Sequence, residues 1–325
     1  MNQNEFRRCA VVGIGAVGAA ISYALMRSAL FSEIVLIDTK EEKAQGEAMD
    51  LSHGSVFTPP QRIFSGKFSD LAGSSVVIIA AGANQDPGES RMDLFERNAK
   101  ILDSILEEVQ VFAPEALLLI VTNPVDLLTY RAVKKLGYDI TGTPGKSIRV
   151  IGSGTVLDTA RLKFALGQYF QLDFRNIHAF VIGEHGDSEV AVWSSANISG
   201  IDLDAFDHMR RPCRCGHSRE ALRRIFDDVK NSAYQIIQKK GATSYGIASS
   251  VLRILEAVVR DEKSVLTVSV YAQGEYGIVD AAIGLPAVIG KDGVEQILEI
   301  PLDADERTAL MQSVNTLYPG RPIFL

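Results

Sequence analysis

Cysteine is scarce in this 325-residue chain, and three residues do not make a disulfide framework. Long apolar runs are missing too, since no stretch approaches the roughly 18 uninterrupted residues of a membrane span. Residues 1–8 are polar and lead straight into a strand-like run, so no signal peptide is expected. Positive charge is in deficit: 33 Lys and Arg face 40 Asp and Glu, for a net charge of -7. A surface that tracks phosphates needs clustered cations, so nucleic-acid binding is not expected, although a local cationic pocket for a small acid remains open. Internal repeats, charged tails and low-complexity linkers are absent. What these absences leave is the expectation of a reduced, cytoplasmic, soluble protein with no membrane association.

What is present is an ordinary globular composition, 46% hydrophobic and 22% charged, on a chain long enough for two domains. In the first half, short apolar runs alternate with amphipathic stretches, the pattern of βαβ units around a parallel sheet. Strands are expected at residues 9–14, 33–37, 76–80, 117–121 and 147–151, and helices at 16–28, 41–51 and 94–112. Beyond a Gly- and Pro-rich turn at 141–145 the character changes. Long helices are expected at 156–168 and 218–240, with strands at 179–182 and 265–270. The reading is an α/β fold, a doubly wound parallel sheet over residues 1–146 followed by a second α/β (α+β) domain over 147–325.

Gly13-Ile14-Gly15-Ala16-Val17-Gly18 follows the first strand and opens the first helix. Gly13 allows a tight turn, Gly15 lets backbone approach a pyrophosphate, and Gly18 lets helix and strand pack closely. The helix N-terminus offers N–H groups and a favourable dipole to phosphate. Asp38 closes the second strand twenty residues after Gly18, where a carboxylate would accept from a ribose diol and repel a 2′-phosphate. NAD is therefore expected rather than NADP.

Asp158 and His185 lie twenty-seven residues apart. Histidine titrates near neutrality and suits proton donation to a carbonyl, and His185 sits in a Gly-flanked turn after an apolar run. Asp158 could fix its tautomer and stabilise the imidazolium. Arg161, three residues on, shares Asp158's helix face and could grip a carboxylate through two parallel bonds. The alternative for this pair is a helix-surface ion pair of little consequence.

Taken with Gly82-Ala83-Asn84-Gln85-Asp86-Pro87-Gly88-Glu89-Ser90-Arg91 and Val121-Thr122-Asn123-Pro124-Val125-Asp126, these motifs resemble the lactate/malate dehydrogenase family from about residue 8 to 317. The resemblance implies a Rossmann-type domain followed by a substrate domain, and an NAD-dependent 2-hydroxy acid oxidoreductase. It implies that His185 donates and accepts the proton, Asp158 partners it, and Arg91 polarises the substrate carbonyl from a closing loop. Arg161 would clamp the carboxylate, Asn123 would bond near the reacting oxygen, and Thr243 would line the substrate pocket. Val17, Ala81 and Gly82 join Gly13, Gly15, Gly18, Asp38 and Asn123 as expected cofactor contacts, and Ile247 would lie against the nicotinamide.

Within the family, malate-specific members carry an arginine where Gln85 stands, so a methyl-bearing substrate, pyruvate or L-lactate, is expected here. An unpaired second carboxylate beside a neutral Gln85 would cost several kcal/mol. Two alternatives stay open: a dehydrogenase of malate or a branched 2-hydroxy acid, or a dinucleotide-binding regulator without catalysis. The resemblance also implies a homo-tetramer and a possible fructose 1,6-bisphosphate site between subunits. His178 matches that site's histidine, while Lys163 stands at its arginine position. Cys213-Arg214-Cys215-Gly216-His217 has too few ligands and too many neighbouring arginines for zinc, and no metal is expected.

Overall fold

The computed structural model describes residues 8–84, 88, 91–136, 149–210 and 219–324. Its first half runs through β1 (Arg8–Val12), α1 (Ala16–Ser28), β2 (Glu33–Ile37), α2 (Glu41–Gly54) and β3 (Arg62–Ser65). It continues with β4 (Ser74–Ile79), α3 (Arg91–Phe112), β5 (Leu117–Ile120), α4 (Val125–Leu136) and β6 (Val150–Gly152). These strands are parallel and lie in the order β3-β2-β1-β4-β5-β6. Chain direction across the sheet reverses between β1 and β4, and such a switch point opens a crevice beyond the strand C-termini. The strands are apolar throughout because both faces are covered: Ala10, Val11, Val77, Ile78, Leu118 and Leu119 have no exposed surface.

The second half begins with α5 (Val156–Phe170), β7 (Ile177–Ile182), β8 (Val190–Ile198), β9 (Ile201–Asp202) and α6 (Leu203–Arg210). Then come α7 (Arg219–Lys240), α8 (Tyr245–Val259), β10 (Ser264–Gln273), β11 (Val279–Gly290), β12 (Gly293–Ile297) and α9 (Ala304–Leu317). Strand β10 pairs antiparallel to β6 through Ser269 and Gly152, and β11 and β12 follow, so the parallel sheet gains an antiparallel flank. Strands β7, β8 and β9 form a separate antiparallel sheet.

Helices seal the large sheet on both sides. Ile21 and Leu25 of α1 join Ile254 and Leu255 of α8 in one core, while Leu102 and Leu106 of α3 join Leu128 of α4 in the other. All seven have at most 2% of their surface exposed, so truncating one to alanine costs about 2–5 kcal/mol. Helix α9 is pinned at its start. Asp303 accepts from Glu306 N at 2.8 Å, and Glu306 accepts in return from Asp303 N at 3.0 Å. The same buried Glu306 accepts from Trp193 N and Ser194 N, which ties α9 to β8.

Each strand and helix expected from sequence has a counterpart, with shifted ends. The first strand stops at Val12 rather than residue 14, and 265–270 is the middle of the ten-residue β10. The expected strand at 147–151 appears as Val150–Gly152, its first two residues lying outside the described set. The proposed boundary near residue 146 also falls outside it. Strands β3, β8, β9, β11 and β12 and helices α4, α6, α8 and α9 were not anticipated; β3 and β9, at four and two residues, are too short to carry a distinctive period.

Candidate active site

The nucleotide half of the site is built where β1, β2 and β4 end. Gly13 has φ +93°, and a Cβ there would lie 2.3 Å from Ala81 Cα, so only glycine fits between the two strand ends. Its N–H donates to Ile37 O at 2.7 Å. Asp38 accepts from Ile14 N at 2.7 Å and from Lys40 N at 2.9 Å. The carboxylate thus shapes the glycine turn, and its remaining lone pairs are still available to a ribose diol. Gly15 is exposed with nothing within 4 Å of where its Cβ would be, and no side chain caps α1. An open backbone beside an uncapped helix N-terminus fits a dinucleotide pyrophosphate.

Next to it, Thr122 Oγ1 donates to Ala81 O at 2.8 Å. Asn98 of α3, buried and not singled out from sequence, donates to Asn123 O at 2.7 Å and accepts from Ala83 N at 2.7 Å. One amide therefore holds the base of the Gly82–Ala83 segment against the end of β5. Gln85 and the side chain of Arg91 lie outside the described residues.

The chemical half gathers on α5 and on the turn between β7 and β8. Asp158 is 3% exposed, and its Oδ2 meets His185 Nδ1 at 2.6 Å. Its Oδ1 accepts from Arg161 Nη1 at 2.9 Å. Burial raises the Asp158 pKa, but the His185 and Arg161 charges outweigh it and hold the carboxyl below its ordinary value. For His185, burial works against the charged ring, yet Asp158, with Asp126 and Glu189, lifts the pKa to about 9. With Nδ1 engaged, Nε2 is the ring nitrogen left for chemistry.

The turn itself is fixed from three directions. Gly183, φ +91°, forms a two-bond bridge with Gly284 of β11 at 2.9 and 3.0 Å. His185 N donates to Asp126 Oδ2 at 2.8 Å, and Ser269 Oγ donates to Asp126 Oδ1 at 2.6 Å. Glu184 N donates to Ser313 Oγ at 2.8 Å. Burial raises Asp126 to about 6 despite the bonds from Ser269 and His185.

Asn123, Asp158, Arg161 and His185 line one cavity of about 190 Å3. The fourth wall is α7, with Lys230, Ala233, Tyr234 and Ile237, and Glu189 adds a buried acid. Sequence reading missed these residues; the apolar period of α7 was visible, but not which face met the site. Thr243 and Ile247 are half-buried around the start of α8 and are not among the residues lining this cavity. Lys163 on α5 is half-buried, and burial lowers its ammonium pKa, whereas His178 on β7 is exposed. Among the described residues no group of three His, Cys, Asp or Glu is placed to hold a metal, and residues 213–217 lie outside that set.

A dinucleotide crevice beside a carboxylate–imidazole–guanidinium cluster is the arrangement expected of a 2-hydroxy acid dehydrogenase. Residues 7–141 match the lactate/malate dehydrogenase NAD binding domain, and residues 155–319 match that family's alpha/beta C-terminal domain. The chain belongs to the lactate/malate dehydrogenase family. Members of it that resemble this chain include L-lactate dehydrogenase 1 of Clostridium acetobutylicum, 49% identical over 95% of this chain and 96% of that protein. The L-lactate dehydrogenase of Acetivibrio thermocellus is 48% identical over 98% and 97%. Among solved structures, the ligand-bound minor L-lactate dehydrogenase of Enterococcus mundtii superposes with a TM-score of 0.88 at 37% identity, covering 96% of each chain.

Proposed function

We propose that this member of the family is an L-lactate dehydrogenase, catalysing the reversible NADH-dependent reduction of pyruvate. The observation that carries the reading is Asp158, whose two oxygens hold His185 and Arg161 side by side on one cavity wall. Bound NADH supplies the hydride to C2. His185, protonated at neutral pH, gives a proton from Nε2 to the carbonyl oxygen, and Asp158 stabilises the charged ring beforehand. Arg161 spends one N–H on Asp158 and keeps four for the substrate carboxylate. Asn123 stands beside the reacting oxygen, and Arg91 brings a further positive charge to it.

The cofactor contacts assigned are Gly13, Gly15, Val17, Gly18, Asp38, Ala81, Gly82, Asn123 and Ile247. The open backbone at Gly15 and the placement of Asp38 support them. Gln85 and Thr243 are assigned to the substrate pocket, and the neutral Gln85 favours pyruvate over oxaloacetate. NADH oxidation against a panel of 2-oxo acids is the test: an equal or higher kcat/KM for oxaloacetate overturns the assignment.

A cytoplasmic homo-tetramer is part of the reading. Met49, Val56 and Phe57 on and after α2 are exposed, as are the neighbouring rings of Phe164 and Phe174 near α5, two apolar patches suited to subunit contacts. A subunit seated on the second patch would lie near Lys163, where fructose 1,6-bisphosphate would bind with His178. Sedimentation at working concentration tests the tetramer, and pyruvate saturation curves that do not move with the bisphosphate remove the effector.

A further inference from the structure

Glu189 stands at the entry to β8 with 5% of its surface exposed, and its Oε1 is buried without a hydrogen-bond partner among the described residues. It lines two cavities at once: the one holding Asp158, Arg161 and His185, and an adjoining one of about 480 Å3. Lys230 of α7 is the other charged residue on both walls. Facing Glu189 from the catalytic side are Asp158 and Arg161 of α5, His185 and Asp187 of the turn, and Tyr234 of α7. Across the second cavity stand Asp303, Asp305 and Glu306 at the start of α9, with Asp202 and Asp204 at the start of α6. Among the described residues, only Arg223 adds a cation there beside Lys230.

An ionised carboxylate in that position loses its hydration and gains no hydrogen bond to Oε1 from the described residues in return. A protonated one avoids the cost. We propose that Glu189 is a positioning residue that sets how strongly the site holds a carboxylate substrate: neutral, it leaves Arg161 its full pull on the anion, and ionised, it opposes that pull. The proposal rests on the dehydrogenase reading of the same site. Burial and the nearby Asp158 charge raise its pKa to about 8, against the pull of His185, Lys230 and Arg161. The carboxyl is therefore held neutral at neutral pH and charges as the pH rises. Substrate affinity then weakens with that ionisation.

Glu189→Gln keeps the shape and removes the titration. Steady-state pyruvate reduction by wild type and E189Q is compared from pH 6.5 to 9.5, each normalised at pH 6.5. Above its pKa the neutral fraction of a carboxyl drops tenfold per unit; E189Q also loses a charge that helps lift His185, which takes back part of that difference, so by pH 9 wild-type kcat/KM should have fallen several-fold further than that of E189Q. The extra loss should appear in KM. Superimposable profiles overturn the proposal.

A second measurement needs only the wild type. Calorimetry in buffers of different ionisation enthalpy counts protons taken up when oxamate, an unreactive anion shaped like pyruvate, binds the NADH complex. At pH 9.5 the count should exceed one, because Glu189 and His185 both regain protons, and a count of one or less overturns the proposal. If wild type fails to turn over pyruvate, the dehydrogenase reading fails by itself, and the proton count still decides the role of Glu189.

Discussion

Asp126, on the first helix after β5, accepts the backbone N–H of His185 at 2.8 Å, although 59 residues separate them. Its other oxygen takes the hydroxyl of Ser269, 143 residues away. One buried carboxyl therefore joins the parallel sheet's last helix to the catalytic turn and to the antiparallel flank. Asp126 holds the backbone of His185 as Asp158 holds its ring.

Asp126→Asn should alter stability in a pH-dependent way. Folding raises this carboxyl from its ordinary 3.8 to about 6, so the folded state holds the proton more tightly than the unfolded chain. The resulting stabilisation is complete below about pH 4 and is lost as the pH rises through 6. Urea unfolding should show the wild type losing roughly 3 kcal/mol relative to Asp126→Asn across that window. A constant difference between the two would contradict the assignment.

Asp158→Asn should lower kcat/KM for pyruvate by about a hundredfold or more at pH 7, since the imidazolium loses its partner. The alkaline limb of the profile should also move. With Asp158 present His185 titrates near 9, and without the charge it should fall back towards its ordinary 6.5. A pH series of initial rates checks both effects together.

Arg161→Lys retains a positive charge and forfeits the planar fork. One charged hydrogen bond is worth about 1.5–3 kcal/mol, so kcat/KM should drop some 10- to 100-fold. Most of the loss should fall on KM, because the carboxylate is held alike in ground and transition states. Steady-state kinetics at fixed, saturating NADH separate the two parameters.

Gln85→Arg should shift preference towards oxaloacetate, because a guanidinium would pair the second carboxylate. The ratio of kcat/KM for oxaloacetate over pyruvate should rise by about a hundredfold or more. An unchanged ratio would show that another residue selects the substrate side chain.

Local signals in the sequence were enough for much of this architecture. The glycine fingerprint, the apolar strands and the helix spacing of Asp158 and Arg161 act over a few residues, and the structure places all of them accordingly. Strand β3 was not legible, since four residues with mixed burial give no usable period. Nor were β10–β12 recognisable as a flank of the same sheet, because pairing partners across β6 are not encoded in either strand alone.

The sequence by itself determined the reaction chemistry: a dinucleotide turn, a histidine in a glycine-flanked turn, and an acid and a guanidinium on one helical turn. Only tertiary structure decided which groups surround them. Asp126, Asn98 and Lys230 reach the site from elements far apart in the chain, and Glu189, four residues after His185, is buried beside it only by the packing around β8. Their roles arise from burial and charge, and both are properties of the packed neighbourhood. No spacing within a single segment carries that information.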